Sequence, residues 1–274
     1  MLAISGAWSS WLIMDCKEKN CLYHLSENTG PNFRSILPAA HSSIYFYMNI
    51  EILTSDQIAF LKALGSTPNI ANTFYLTGGT PLAAFYLGHR YSEDLDFFSE
   101  QEVDATGIRV FLEQHKEALG IESIDLQQSF NRNLFFVELP GGVLKTEFTY
   151  FPFPRIEKNL KKECGVEVDS PLDIAVNKIH TIYSRTKARD YIDLYLLCKT
   201  YSYSILELTK MARIKFDTHI DPIQLGTQFT RAAEAEDYPR MITELTPETW
   251  QLFFKSEAER LLQEQIFDQN GKGE

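Results

Sequence analysis

Residues 74–100, FYLTGGTPLAAFYLGHRYSEDLDFFSE, restrict the possible folds of this chain more than any other stretch. Phe74, Tyr75 and Leu76 form a short apolar run that reads as a buried strand. Thr77-Gly78-Gly79 then turns the chain. Thr80 is a favourable N-cap and Pro81 a favourable first helical residue, so a helix is expected to start there. Leu82, Phe85 and Tyr86 stand at i, i+3, i+4 and give that helix an apolar face. Gly88 supplies a left-handed stop. Asp94-Leu95-Asp96-Phe97-Phe98 follows as a second strand. Residues two apart on a strand share a face, so Leu95 and Phe97 turn to the core while both carboxylates project from the other side.

This order of parts suggests a chemistry. Two glycines before a helix N-terminus let a phosphate approach backbone N–H groups, where the helix dipole also favours negative charge. Two carboxylates on one face repel each other unless a cation compensates, and hard oxygen ligands select Mg²⁺ or Mn²⁺. A phosphate cradle beside a metal-binding acid pair is what nucleotidyl transfer from a nucleoside triphosphate needs. Taken singly, a GG-T is an ordinary turn and a D-x-D an ordinary solvated strand end. The sequence of strand, GG, helix and acid pair is more specific than either.

The G-G-T followed by D-x-D resembles the signature of the nucleotidyltransferase superfamily. More closely, residues 70–198 resemble the AbiEii/AbiGii toxin family of nucleotidyltransferase-like proteins. That resemblance implies an α/β (α+β) N-terminal lobe with a small mixed sheet, a helical C-terminal lobe, and a nucleotide cleft between them. Gly78, Gly79 and Thr80 are then expected to hold the triphosphate, and Asp94 and Asp96 to bind Mg²⁺ or Mn²⁺. Strand 143–150 presents Lys145, Glu147 and Thr149 on one face. Glu147 matches the family's third acid and becomes a candidate metal ligand, although the superfamily often has Asp there and the longer side chain bears on direct contact.

The later motifs of the family resemble KIHTIYSRTKARDYIDLYL, residues 178–196. Lys178 is the expected partner of the triphosphate, where its point charge meets gathering negative charge. Arg185 either does the same or pairs with Asp190 or Asp193. Asp190 either orients Lys178 or Arg185 or acts as a general base. Asp190 and Asp193 are read as lying side by side outside, with Asp193 in a surface ion pair with Arg189. The resemblance also implies a toxin-like role with a cognate antitoxin, and as acceptor a tRNA 3′ end or a protein hydroxyl.

The rest of the chain is read around this centre. Residues 1–47 lack a clear period and are expected to be a poorly ordered extension. Met48 is the expected start of the α/β lobe, which runs to 154, with a helix capped by Thr54 or Ser55 through about Leu64. Residues 106–119 read as one helix. Residues 121–130, 134–139 and 143–150 read as strands, with Pro140-Gly141-Gly142 as a hairpin turn. The helical lobe is expected over 155–268. Ser170-Pro171 opens a helix to about Arg185, residues 188–199 form another, and further helices start near Ser204, Pro222 and Pro247. Residues 269–274 are expected to be a frayed tail.

Composition limits the partners. The net charge is −11, from 26 Lys and Arg against 37 Asp and Glu, which is the wrong sign for a broad nucleic-acid binder. Local basic stretches remain at 155–162 and 178–189, each equally a solvated helix face. Four cysteines, Cys16, Cys21, Cys164 and Cys198, make no zinc spacing and read as reduced thiols of a cytoplasmic protein. No run of about 18 apolar residues predicts a membrane span. Two rival functions stay open: an antitoxin-like transferase that modifies a partner toxin, and a protein-binding module that keeps the fold without catalysis.

Overall fold

In the computed structural model, residues 52–157 and 162–270 are described, with side chains up to 263. The expected extension over 1–47 and the last four residues lie outside them. The chain opens with helix α1 (Ser55–Gly65) and the short α2 (Pro68–Ala71). Thr54 caps α1 through a capping box with Gln57, and Phe60, Leu61 and Leu64 fill its buried face. Strand β1 (Tyr75–Thr77) leads into a turn of helix, α3 (Gly79–Pro81), that widens into a π-helical segment, Leu82–Leu87. The Gly88 N–H closes that wide turn on the Ala83 carbonyl at 2.9 Å, and Gly88 takes the left-handed conformation with φ 64°.

Strand β2 (Leu95–Ser99) alternates buried and half-buried residues. A predicted single helix over 106–119 is two pieces, α4 (Ala105–Gln114) and α5 (Lys116–Leu119). His115 breaks it: its backbone leaves helical geometry at φ −100°, ψ 7° while Nδ1 meets the Phe111 carbonyl at 2.9 Å. Strands β3 (Ser123–Ser129), β4 (Arg132–Leu139) and β5 (Gly142–Tyr150) form a meander. A second hairpin follows, β6 (Lys162–Glu163) and β7 (Val166–Val168), through Cys164 and Gly165, both at positive φ. Helices α6 (Pro171–Ser184), α7 (Ala188–Tyr201), α8 (Ile205–Lys215), α9 (Pro222–Thr230) and α10 (Pro247–Asn270) complete the chain. Helix α10 continues to Asn270, so residues 269 and 270 belong to it.

The seven strands form one mixed sheet in the order β3-β4-β5-β2-β1-β7-β6. β2 is antiparallel to β1 and parallel to β5; β7 is parallel to β1. The sheet therefore reaches past Pro154, to Val168, because β7 returns to flank β1. One core gathers under α1, α4 and the sheet, where Phe97 stacks on Phe148 at 4.9 Å and Phe60 meets Phe111 edge-on at 6.0 Å. The other gathers among α6 to α10, with Tyr191, Phe229, Trp250 and Phe254 fully buried. The π-helical segment joins them: Leu82 enters the helical core, while Ala83, Ala84 and Phe85 enter the sheet core.

Buried polar groups tie the two cores. Asp173, on the first turn of α6, accepts from the Ile156 and Glu157 backbone N–H groups, from Ser170 Oγ, and from Lys215 Nζ at 2.7 Å. Both partners of that ion pair are buried, so its carboxylate is compensated by several donors at once.

Candidate active site

The diglycine bend and the acid pair are in contact. Gly78 takes φ 80°, ψ −147°, a conformation open to glycine and strained for L side chains. It is Gly78, not Thr80, that caps the following helix. Thr80 sits within the first turn, buried, and its hydroxyl donates to the Asp94 carbonyl and lies 2.7 Å from Ser92 Oγ. Thr80 thus braces the segment entering β2 with its side chain. Gln57 braces the same segment from α1, donating to the Ser92 and Glu93 carbonyls at 3.1 and 2.9 Å.

Strand register assembles the carboxylates. Asp96 stands opposite Thr77 on β1 and opposite Glu147 on β5. A β-carbon on Gly78 would lie 2.8 Å from Asp96 Oδ2, so the bend touches this carboxylate. Burial, then Glu147 and Asp94, push the Asp96 carboxyl up to about 6. Asp94 accepts from Lys145 Nζ at 2.7 Å. Glu147 is clasped by Arg132 through two hydrogen bonds of 2.6 Å and by Thr149 Oγ1 at 2.7 Å. Burial would raise the Glu147 carboxyl, but those donors outweigh it and hold it below the usual range.

The expected three-carboxylate metal set is accordingly narrowed. Among the described residues, no group of three or more His, Cys, Asp or Glu side chains is arranged to hold a metal ion. Asp94 and Asp96 fit a hard divalent cation by donor chemistry, and among the described residues neither Asp96 oxygen is clasped by a cation as those of Glu147 are; Lys145 occupies one oxygen of Asp94. Glu147 has both oxygens committed to Arg132. Arg132 was absent from the sequence reading; its register opposite Thr149, two residues from Glu147, follows from the Pro140-Gly141 turn that joins β4 to β5.

The later motif forms a second cluster, and here the sequence reading needs correction. Asp190 and Asp193 do not lie outside; both are buried, and Asp193 is fully inaccessible. Lys178 Nζ meets Asp190 Oδ1 and Asp193 Oδ2, each at 2.7 Å. Arg185, half-exposed, pairs with Asp190 Oδ2 at 3.0 Å. Arg189 is the exposed residue, so it is not the partner expected for Asp193. Asp193 instead receives Arg90 Nε and Nη2 at 2.8 and 2.9 Å and meets His89 Nε2 at 2.8 Å. Burial alone would raise the Asp193 carboxyl, yet Lys178, Arg90 and His89 hold it well below the carboxylate range. Asp190, buried beside Lys178 and Arg185, is also lowered. His89 and Arg90 escaped the sequence reading because they lie in the loop after Gly88, where periodicity says nothing.

The two clusters meet at Gly79, where an added β-carbon would lie 2.2 Å from Arg90 Nη2. Contacts thus run without a break from Lys178 through Asp193, Arg90 and the diglycine bend to Asp96. An acid pair at the head of β2 set against a diglycine bend, on this mixed sheet with a helical flank, defines a nucleotidyltransferase.

Comparison with known proteins gives the particular family. Residues 59–265 match the family described as nucleotidyl transferase AbiEii toxin, type IV TA system. The chain belongs to that family. Over 150 residues it is 31% identical to protein aq_aa25 of Aquifex aeolicus (strain VF5), described as uncharacterized, covering 54% of this chain and 68% of that one. The fold is shared with JHP933 of Helicobacter pylori, at 23% identity and a TM-score of 0.50 over 79% of this chain and 94% of the other. It is shared too with MenT4, the nucleotidyltransferase toxin Rv2826c of Mycobacterium tuberculosis H37Rv, at 15% identity and TM-score 0.50 over 75% and 81%. No helix among the described residues is long and apolar enough to cross a membrane.

Proposed function

We propose that this toxin-family enzyme transfers a nucleoside monophosphate from a nucleoside triphosphate to a hydroxyl of a tRNA or a protein, releasing pyrophosphate. The observation that carries the reading is the contact between Gly78 and Asp96, which sets a phosphate-binding bend beside a carboxylate with a raised pKa. In this reading Gly78 and Gly79 receive the phosphates on backbone N–H groups. Lys178, fixed by Asp190 and Asp193, adds positive charge, with Arg185 at the exposed rim of the same cluster. Asp190 serves as the orienting group for Lys178 and Arg185, since two cations lower its affinity for a proton.

Asp94 and Asp96 would hold Mg²⁺ or Mn²⁺, which when bound neutralises phosphate oxygens and acidifies the acceptor hydroxyl. Glu147 holds Arg132 at the edge of the site and keeps negative charge next to Asp96. The acceptor oxygen, its proton passing to solvent, bonds to the α-phosphorus while the bond to the bridging oxygen of the pyrophosphate breaks. In this reading the protein is a cytoplasmic toxin with a cognate antitoxin as partner. The net charge of −11 favours a protein acceptor or a narrowly docked RNA over broad nucleic-acid binding.

Incubating the protein with each α-labelled NTP, Mg²⁺, and either tRNA or cell protein tests this. Label is expected on one acceptor class and absent with Asp96→Ala. A folded wild-type protein that labels nothing, in either arm, would overturn the reading.

A further inference from the structure

Arg90 is 4% exposed and Asp193 0%, and burying both charges is costly unless their geometry is used. Asp193 takes three side chains, the Arg90 guanidinium, the Lys178 ammonium and the His89 ring, on two oxygens. Two of the three come from the loop behind the diglycine helix and the third from α6. The guanidinium is fixed on three sides: Nε and Nη2 on Asp193, and Nη1 on the Tyr91 carbonyl at 3.0 Å. Its Nη2 then lies against Gly79 with no space for a β-carbon. Gly79 is not at positive φ, so the glycine is required there by Arg90 and not by backbone conformation.

We propose that Arg90, locked by Asp193, is a positioning residue that sets the diglycine bend for triphosphate binding, and that Asp193 couples that bend to Lys178. This rests on the proposed function and extends it to two residues outside the acid pair and the phosphate-binding glycines. Arginine is needed because a planar fork can grip Asp193 through two nitrogens while presenting an edge to the bend; lysine cannot do both. One carboxylate thereby fixes the spacing between the backbone donors at Gly78-Gly79 and the Lys178 ammonium.

The test uses Mg²⁺ with inorganic tripolyphosphate, and separately with ATP, CTP, GTP and UTP, in titration calorimetry on the full chain. Arg90→Lys is expected to weaken tripolyphosphate binding at least tenfold. Gly79→Ala, which leaves both charged partners in place, is expected to do the same by pushing the guanidinium aside. The double variant is expected to lose no more than the worse single variant, because lysine leaves room for the new methyl group. Circular dichroism and Tm separate lost binding from lost fold, and Gly79→Ala carries the test should Arg90→Lys not fold. In transfer assays the loss is expected mainly in KM for the triphosphate. Wild-type protein that binds while both single variants match it within twofold overturns the inference alone. So do losses that multiply in the double variant. Wild-type protein that binds neither tripolyphosphate nor any NTP overturns the proposed function, and this inference with it.

Discussion

Asp96 Oδ2 lies 2.8 Å from the point a β-carbon on Gly78 would occupy, so carboxylate and bend share one van der Waals surface. Gly78→Ala therefore meets two obstacles, the positive φ and the carboxylate. The first costs about 1–3 kcal/mol, and the second displaces Asp96. We expect a lower midpoint in urea unfolding and at least tenfold weaker Mg–NTP binding by calorimetry. Unchanged binding would detach the bend from the phosphates.

Asp96→Asn is expected to separate activity from stability. Nucleotide transfer should fall at least a hundredfold, equivalent to about 2.7 kcal/mol of barrier. Stability should move the other way. The Asp96 carboxyl is raised to about 6 in the folded protein. Its contribution to stability is thus fully present below the ordinary carboxylate pKa and lost as pH rises through about 6. Asparagine removes that loss. Without metal, the variant's Tm should exceed wild type at pH 7.5 by at least roughly 2 °C, and the gap should close towards pH 4.

Asp169 offers the same linkage away from the acid pair. It is fully buried after β7, with Oδ2 accepting from Thr77 Oγ1 at 2.7 Å. Burial, then Asp173, raise its carboxyl to about 7. Wild-type stability should therefore decline between about pH 4 and 7. In Asp169→Asn that slope should flatten, because the amide oxygen still accepts from Thr77. Denaturant unfolding at pH 4.5 and 8 reads it: the variant should gain on wild type at the higher pH. A constant gap across pH would count against a raised Asp169.

Phe130 sits at the β3–β4 turn with φ 53° and its side chain fully in solvent. A bulky side chain in the left-handed region is strained, and here it gains no packing in return. Relief of about 1–2 kcal/mol of strain, less roughly 0.5–1 kcal/mol for the greater chain freedom of glycine, should leave Phe130→Gly about 0.5–1 kcal/mol more stable. A loss of stability would mean that the ring has a contact within the chain.

The acid pair and its strand were legible because alternation is a local property: Leu95 and Phe97 are buried and the two aspartates face the other way, as D-L-D-F requires. Ser170 and Pro171 marked the start of α6 for an equally local reason, a side-chain cap on the Asp173 N–H at 3.0 Å. Asp193 was misread because burial of a charge depends on partners far along the chain. Its arginine lies 103 residues away, and no spacing rule connects them. Strands β6 and β7 escaped for a different reason. They are two and three residues long, and β7 takes its place from β1 and β6 from β7, not from a pattern of their own. Thr80 was assigned a cap that glycine takes, since a positive φ at Gly78 ends the strand one step earlier than a side-chain cap would.

The return of β7 to β1 has a consequence for the order in which this site assembles during synthesis. Thr77, the residue entering the diglycine, is held by Asp169, 92 residues downstream, and Leu76 receives the Asp169 N–H at 2.9 Å. A nascent chain that has emerged only as far as Tyr150 already owns all three acids and both glycines. It still has an open sheet edge beside β1 and no Lys178 or Asp193. Only a chain made through α7 can bring Lys178 and Asp193 to the diglycine bend.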